Sequence, residues 1–359
     1  MEPTTSVQSD LAALYQTGQA QLHQGQFLPA LKVFQKLLTL AQTREHSDDI
    51  TALQVDGLIE IGKIHRHLQH FAWSIKCFER ALSVIGPADN SLKQGGIHQE
   101  IGQVYWISRQ YSPALRAYVK ALEIFQHHSD LEGICSVLNH LGEVYNAIGL
   151  FDQALRSCQK ALMILKTLEQ MPEPCPRLSP DQKALILYNL GVTQAQTRRY
   201  PQALAYLSQA LAIQQQLHRH GQSPETSPNQ VSTQKLALQS ADTLKQMGTV
   251  YLFQGKHYPA FEAYQKAERI YRTTGQLEPH AEVLDYLGII CYRRGNKSQA
   301  LWYHLKALEQ FKTLENWINQ PEKLPHILTV YRQFNLSNEG VRLYRRSQEL
   351  IEILGSEVG

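Results

Sequence analysis

Cysteine, long apolar runs and a dominant charge are what this 359-residue chain has least of, and each scarcity narrows the field. The five cysteines, Cys77, Cys135, Cys158, Cys175 and Cys291, lie far apart with no Cys-x-x-Cys pair. That spacing argues against a zinc site, an iron–sulfur cluster and a disulfide framework, and it fits a reducing compartment such as the cytoplasm. No stretch approaches eighteen consecutive apolar residues, which rules out a transmembrane helix. Residues Met1 to Asp10 hold an acid and several hydroxyls but no basic segment and no apolar run, so no secretory signal is expected. A net charge of +3 is too small to make nucleic acid an obligatory partner. With 43% hydrophobic and 19% charged residues, the chain is foldable and soluble.

Catalytic spacing is missing as well. There is no phosphate-binding G-x-x-x-x-G-K-[ST] loop, no G-x-S-x-G elbow and no H-E-x-x-H pair. The nearest approach to a metal cluster is His65, His67 and His70, which has no acid or cysteine at ligand spacing. His127, His128, His218 and His220 read as solvated groups at helix ends or in a loop. No enzyme activity, cofactor or metal is expected.

What is present is a repeat, and repeats take precedence because missing one mis-assigns the whole fold. In its clearest copy a helix-like stripe runs Leu138, Leu141, Gly142 and Tyr145, followed by Ala154, Cys158 and Ala161. Other copies give Leu58, Ile61, Gly62, Phe78 and Ala81, and Ile101, Gly102, Tyr105, Ala114, Tyr118 and Ala121. Gly18, Gly191, Gly248 and Gly288 anchor four more, each followed by Ala30/Phe34, Ala203/Leu207/Ala210, Ala260/Tyr264/Ala267 or Ala300/His304/Ala307. An eighth, degenerate copy has Leu328 in the glycine slot, then Gly340, Tyr344 and Ser347.

These offsets describe two antiparallel helices per copy. Gly25, Gly149, Gly255 and Gly295 stand seven residues after their anchors, with Asn335 in the last copy, where a residue just past a helix end turns left-handed. The anchor glycine and the alanines let two backbones approach, and Phe78, Tyr118 and Tyr145 fill the space beside them. Cys158 and Cys291 replace packing residues and are expected to be buried and inert; Cys175 reads as an exposed thiol.

The pattern resembles the tetratricopeptide repeat family over roughly residues 11 to 354, which implies an all-α, right-handed α-solenoid of about eight helix hairpins. The anchors are spaced by 44, 40, 40, 49, 57, 40 and 40 residues, so the chain resembles the subgroup with a step of about 40 found in kinesin light chains and Rap-type bacterial regulators. Rap-type regulators begin with a separate helical bundle, for which a first repeat starting near Leu11 leaves no room.

The expected layout is a tail over 1–10 and a solenoid over 11–359. Its repeats fall near 11–42, 51–86, 92–128, 131–170, 181–219, 233–275, 278–316 and 322–354. Inserted loops are expected at 171–180, which carries four prolines, and at 218–233; both flank the fifth repeat and read either as two solvated loops or as a hinge there. Ser179-Pro180-Asp181-Gln182 has the form of a capping box opening the next helix. The last unit, with Leu343, Tyr344, Leu350, Ile351 and Leu354 beside Arg342, Arg345 and Arg346, reads as a cap or a self-association face.

The resemblance also implies a concave groove lined by the first helix of each hairpin. Helix geometry puts Lys63, Arg66, Gln99, Gln103, Trp106, Asn139, Glu143, Asn146, Tyr188, Lys245, Asp285 and Tyr292 on it, with Ser136, Asp242 and Glu282 among their neighbours. The amides suit a partner's extended backbone, Trp106 and Tyr188 serve as aromatic anchors, and Lys63/Arg66 against Asp242/Glu282/Asp285 polarises the groove. The carboxylate clamp of chaperone-binding relatives is matched only by Asn139 and Asn189, since Asp242 and Gln246 stand where cations are required. The expected function is a non-catalytic scaffold that holds a peptide segment or helix of a partner protein, as adaptor or assembly factor. The alternative is a regulator that senses a peptide or signal by changing superhelical pitch.

Overall fold

The computed structural model describes residues 4–42, 48–86, 91–170, 179–221 and 230–313. They form fourteen α-helices that pair as seven hairpins: α1 (Thr4–His23) with α2 (Phe27–Gln42), α3 (Asp48–His67) with α4 (Phe71–Ile85), α5 (Leu92–Ile107) with α6 (Tyr111–His127), and α7 (Leu131–Ala147) with α8 (Phe151–Gln170). The series continues with α9 (Pro180–Gln196) and α10 (Tyr200–Gly221), α11 (Gln230–Phe253) and α12 (His257–Thr273), and α13 (Leu277–Arg293) and α14 (Lys297–Thr313). No strand occurs among the described residues. The eighth copy, Cys175 and Asn335 lie outside them.

Each hairpin closes through one contact. The side chain sixteen residues after the anchor glycine lies on that glycine in all seven cases: Phe34 on Gly18, Phe78 on Gly62, Tyr118 on Gly102, Cys158 on Gly142, Leu207 on Gly191, Tyr264 on Gly248 and His304 on Gly288. A methyl group on any of these glycines would stand within 3.0 Å of the partner side chain. The glycine is thus a packing requirement, and its covering residue is fully buried in every copy.

The turn inside each hairpin is equally regular. Its left-handed residue is Gly149 (φ 79°) or Gly255 (φ 71°) where glycine is available, but Gln69, Arg109 and Arg198 hold the same slot at φ 59–60°. The backbone closes it with paired bonds, such as Gln69 N–H to the Arg66 carbonyl at 3.0 Å and His70 N–H to the His65 carbonyl at 2.8 Å. This is a Schellman arrangement, which satisfies the last carbonyls of the first helix.

The chain divides into two compact units, one of residues 1–213 with 220–232 and the other of 214–219 with 233–359. In the first, consecutive hairpins share their apolar side chains. Val55, Leu58 and Phe78 pack with Ile97, Ile101 and Val104, while Tyr118 and Phe125 pack with Val137, Leu141 and Val144. The series runs on through Cys135, Leu138 and Cys158 to Ile186 and Leu190. The first helices α1, α3, α5, α7 and α9 also touch one another in sequence, forming a continuous layer.

Two boundaries differ from the sequence expectation. Helix α1 begins at Thr4, so the segment taken as a tail over 1–10 is largely helical. The apolar stripe that marks a helix in the sequence starts only at Leu11, which is buried in the core. Helix α10 runs to Gly221 and α11 starts at Gln230, so the loop expected over 218–233 is helical at both ends. The capping box is as the sequence indicates: Gln182 N–H donates to Ser179 Oγ at 3.3 Å, Ser179 N–H donates to Gln182 Oε1 at 2.8 Å, and Pro180 opens α9.

Candidate functional site: the first-helix layer

In the first unit the polar side chains assigned to the groove are joined laterally, each first helix to the next. Arg66 on α3 donates to Glu100 and to Gln103 Oε1 on α5. Gln99 on α5 donates to Ser136 Oγ on α7 at 3.1 Å. Asn189 on α9 donates to both Asn139 Oδ1 and Glu143 Oε1 on α7, each at 2.9 Å. One step along, Asn146 donates to Thr193 Oγ1 at 2.8 Å, and Thr193 donates to the Asn189 carbonyl at 2.7 Å. His140 lies 3.3 Å from the other oxygen of Glu143. The result is a ladder of polar rungs crossing four adjacent helices.

Beneath these rungs lies Tyr118, fully buried, its ring stacked on His140 at 5.4 Å with 12° between planes. Burial pushes its phenol well above the usual range, and the nearby carboxylates of Glu143 and Glu100 push the same way. Its hydroxyl has no hydrogen-bond partner among the described residues. The second unit repeats the motif with a difference. Tyr264 stacks on Tyr286 at 5.0 Å, but its hydroxyl meets Thr249 Oγ1 at 2.8 Å. The residue matching Thr249 is Gln103, whose carbonyl oxygen is taken by Arg66.

Several expectations change here. Asn139, placed by the sequence among the amides facing a partner's extended backbone, is only 3% exposed and Asn189 only 4%, and Asn139 accepts from Asn189 inside the chain. Each charge expected to polarise the groove has a partner within the chain. Lys63 pairs with Glu60 at 3.0 Å, Arg66 with Glu100, and Lys245 with Glu282 at 3.2 Å. Asp285 meets His304 Nδ1 at 2.7 Å, and Tyr271 donates to Asp242 at 2.5 Å. Burial raises the Asp242 carboxyl, against the lowering effect of that bond. The reason is geometric. Arg66 and Lys245 point at the flanking first helix and bond to it, Lys63 bonds within α3, and Asp285 and Asp242 turn back to the second helix of their own hairpins, so part of the groove set is spent on bonds inside the chain.

Gln99, Gln103, Glu143, Asn146 and Tyr188 remain half-exposed, as does Trp106, whose ring lies 5.7 Å from that of Tyr111. Lys245, Asp285 and Tyr292 are half-exposed in the second unit. Glu100, His140 and Thr193 are ladder members that sequence reasoning missed. The only signal for them was charge or amide complementarity between neighbouring copies, such as Arg66 facing Glu100. Burial pushes the Cys135 and Cys158 thiols up to about 12, and raises those of Cys77 and Cys291. Among the described residues no group of three or more His, Cys, Asp or Glu is placed to hold a metal ion, and no helix is long and apolar enough to cross a membrane.

Family models of the tetratricopeptide repeat match residues 12–41 and 239–313, one in each unit. The chain carries tetratricopeptide repeats. The hairpins between those two matches repeat the same glycine contact and left-handed turn. Among curated proteins the repeats are similar to kinesin light chain-related protein 3 of Arabidopsis thaliana, 24% identical over 199 residues. That match takes in 54% of this chain and only 27% of the plant protein. Among solved structures, the apo form of RapI aligns with a TM-score of 0.62 at 13% identity, over 85% of this chain and all of that one. A Rap protein complexed with competence and sporulation factor aligns at 0.57 and 14% identity, over 97% of this chain and 99% of its own. BtubC from P. vanneervenii aligns at 0.52 and 20% identity, over 62% and 85%. At these identities the likeness is one of fold.

Proposed function

We propose that this tetratricopeptide-repeat protein is a non-catalytic scaffold whose first-helix layer receives an extended segment or helix of a partner protein, as an adaptor or assembly factor of the cytoplasm. The observation that carries the reading is the ladder from Arg66 to Thr193. Its half-exposed amides and guanidinium are fixed by lateral bonds yet keep bonding capacity: Gln99 retains its carbonyl oxygen, Gln103 its amide hydrogens and Arg66 several of its five N–H groups. Side chains already held in one rotamer lose little entropy when a partner backbone meets them. Trp106 at the edge of the same layer supplies an aromatic anchor. The step of about 40 residues, and the likeness to a kinesin light chain-related protein, favour the longer-helix branch of the family.

The test is site-specific photo-crosslinking in the native host. A photoreactive residue at position 103 or 106 is expected to trap one protein that the same residue at position 159, on the exposed side of α8, does not. Equal capture from all three positions, or capture from 159 alone, removes the reading.

A second reading, a regulator that senses a peptide or signal, is favoured by the end-to-end alignment with Rap structures, one of them solved with competence and sporulation factor. Small-angle scattering separates the two. A regulator changes its scattering profile when a short peptide binds, whereas a scaffold keeps its own profile.

A further inference from the structure

A second cleft lies away from the first-helix layer, between α4 and α6 with α5 as its floor. It has a volume of about 310 Å³ and is lined by Glu79 and Leu82, by His98, Ile101 and Tyr105, and by Pro113, Arg116, Ala117 and Lys120. The internal repeats provide a control for it. His98 stands four residues before the anchor glycine. In the other six described copies that position is Leu14, Leu58, Leu138, Leu187, Leu244 and Leu284, and five of those leucines are buried. One repeat therefore carries a titratable ring where packing alone selects leucine in every other copy. Arg116 and Lys120, one turn apart on α6, look into the same cleft, and neither forms an ion pair among the described residues.

We propose that this cleft is an anion-binding site that takes a small carboxylate or phosphate group carried on an apolar body. The Arg116 guanidinium and Lys120 ammonium hold the oxyanion at the rim, the His98 ring and Tyr105 hydroxyl meet it at the floor, and Leu82, Ile101 and Ala117 receive the body. Glu79 is the one acid lining the cleft, so with His98 neutral the lining carries a single net positive charge. Facing His98 are Glu79 from α4, Tyr105 from its own helix, and Arg116 and Lys120 from α6. Burial, with a smaller contribution from Lys120, keeps the imidazole below its ordinary pKa. A bound anion favours the protonated ring, so binding strengthens as pH falls and raises the His98 pKa. This site is independent of the reading given to the first-helix layer.

The experiment follows the His98 ring signals by NMR in the full chain while benzoate, or inorganic phosphate in a parallel series, is added near pH 7 and again near pH 5.5, on either side of the ordinary histidine pKa of about 6.5. Saturable movement of those signals with a raised His98 pKa is expected. R116Q/K120Q should weaken it roughly tenfold or more, as loss of charge-assisted bonds implies. His98→Leu, the residue found in the other copies, should keep the fold and, followed through the Tyr105 ring, bind with no gain on acidification. A response to benzoate alone assigns a carboxylate ligand, and a response to phosphate alone assigns a phosphate. No saturable response to either, or an undiminished response in R116Q/K120Q, overturns the proposal.

Discussion

At the scale of single residues, the contact between an anchor glycine and the side chain sixteen positions on fixes how closely two helices approach. Gly191 lies under Leu207, whose branched Cγ would stand 2.6 Å from an added methyl group and has little freedom to yield. Gly191→Ala should therefore cost about 1–3 kcal/mol, as overpacking of a tight core does, and Leu207→Ala should recover part of that loss in the double variant. Urea unfolding of the four proteins measures it. Asn189→Ala strips both Asn139 Oδ1 and Glu143 Oε1 of their donor and should cost a further-reaching about 1–3 kcal/mol, read by the same titration. The two sites differ in how visible they were. The glycine contact is local in the chain, so its fixed offset shows in the sequence. The Asn189 bonds bridge residues 46 and 50 positions apart, and no spacing within one repeat announces them.

At the scale of helices and turns, three hairpins bend through a non-glycine residue in the left-handed region. Arg109, at φ 59°, carries a Cβ strain that Gly149 does not. Arg109→Gly should leave the melting temperature unchanged or raise it, by up to about 1 kcal/mol of stability, whereas Gly149→Ala should lower it by about the same amount. The capping box of α9 gives the opposite kind of test. Ser179→Ala removes the acceptor of the Gln182 N–H and should cost about 1 kcal/mol, seen as faster amide exchange in the first turn of α9. The second helices and the turns were legible because each presents one apolar stripe or one punctuating residue. The start of α1 and the ends of α10 and α11 were not, because these turns continue a helix without adding to that stripe. Helices α5 and α9 bury side chains around much of their circumference, which blurs the period that locates a helix face.

At the scale of the molecule, proton binding couples to folding. His65, His67 and His98, all in the first unit, are held below their ordinary pKa, chiefly by burial. The unfolded chain binds protons first as pH falls, so stability drops from about pH 6.5 downward and levels off below the folded-state values. Asp242, raised by burial, acts in the opposite sense over its own more acidic range. Urea midpoints near pH 7.5 and 5.5 should differ in that direction, and His98→Leu should reduce the difference. The buried thiols of Cys135 and Cys158 give an independent measure of opening, because a thiol pushed up to about 12 resists labelling reagents at neutral pH until its helices separate.

The constancy of the sixteen-residue offset has a consequence for how such a chain changes length. Anchor-to-anchor distances vary from 40 to 57 residues, yet the distance from each glycine to its covering side chain does not vary at all. Extra residues are accommodated only between one hairpin and the next. One residue added inside a hairpin would rotate the covering side chain about a third of a turn off its glycine, while a whole peptide inserted at 171–178 or 222–229 leaves every such contact in register. Those two segments are accordingly where a tag, a sensor domain or an evolutionary insertion can enter this protein at least cost to its fold.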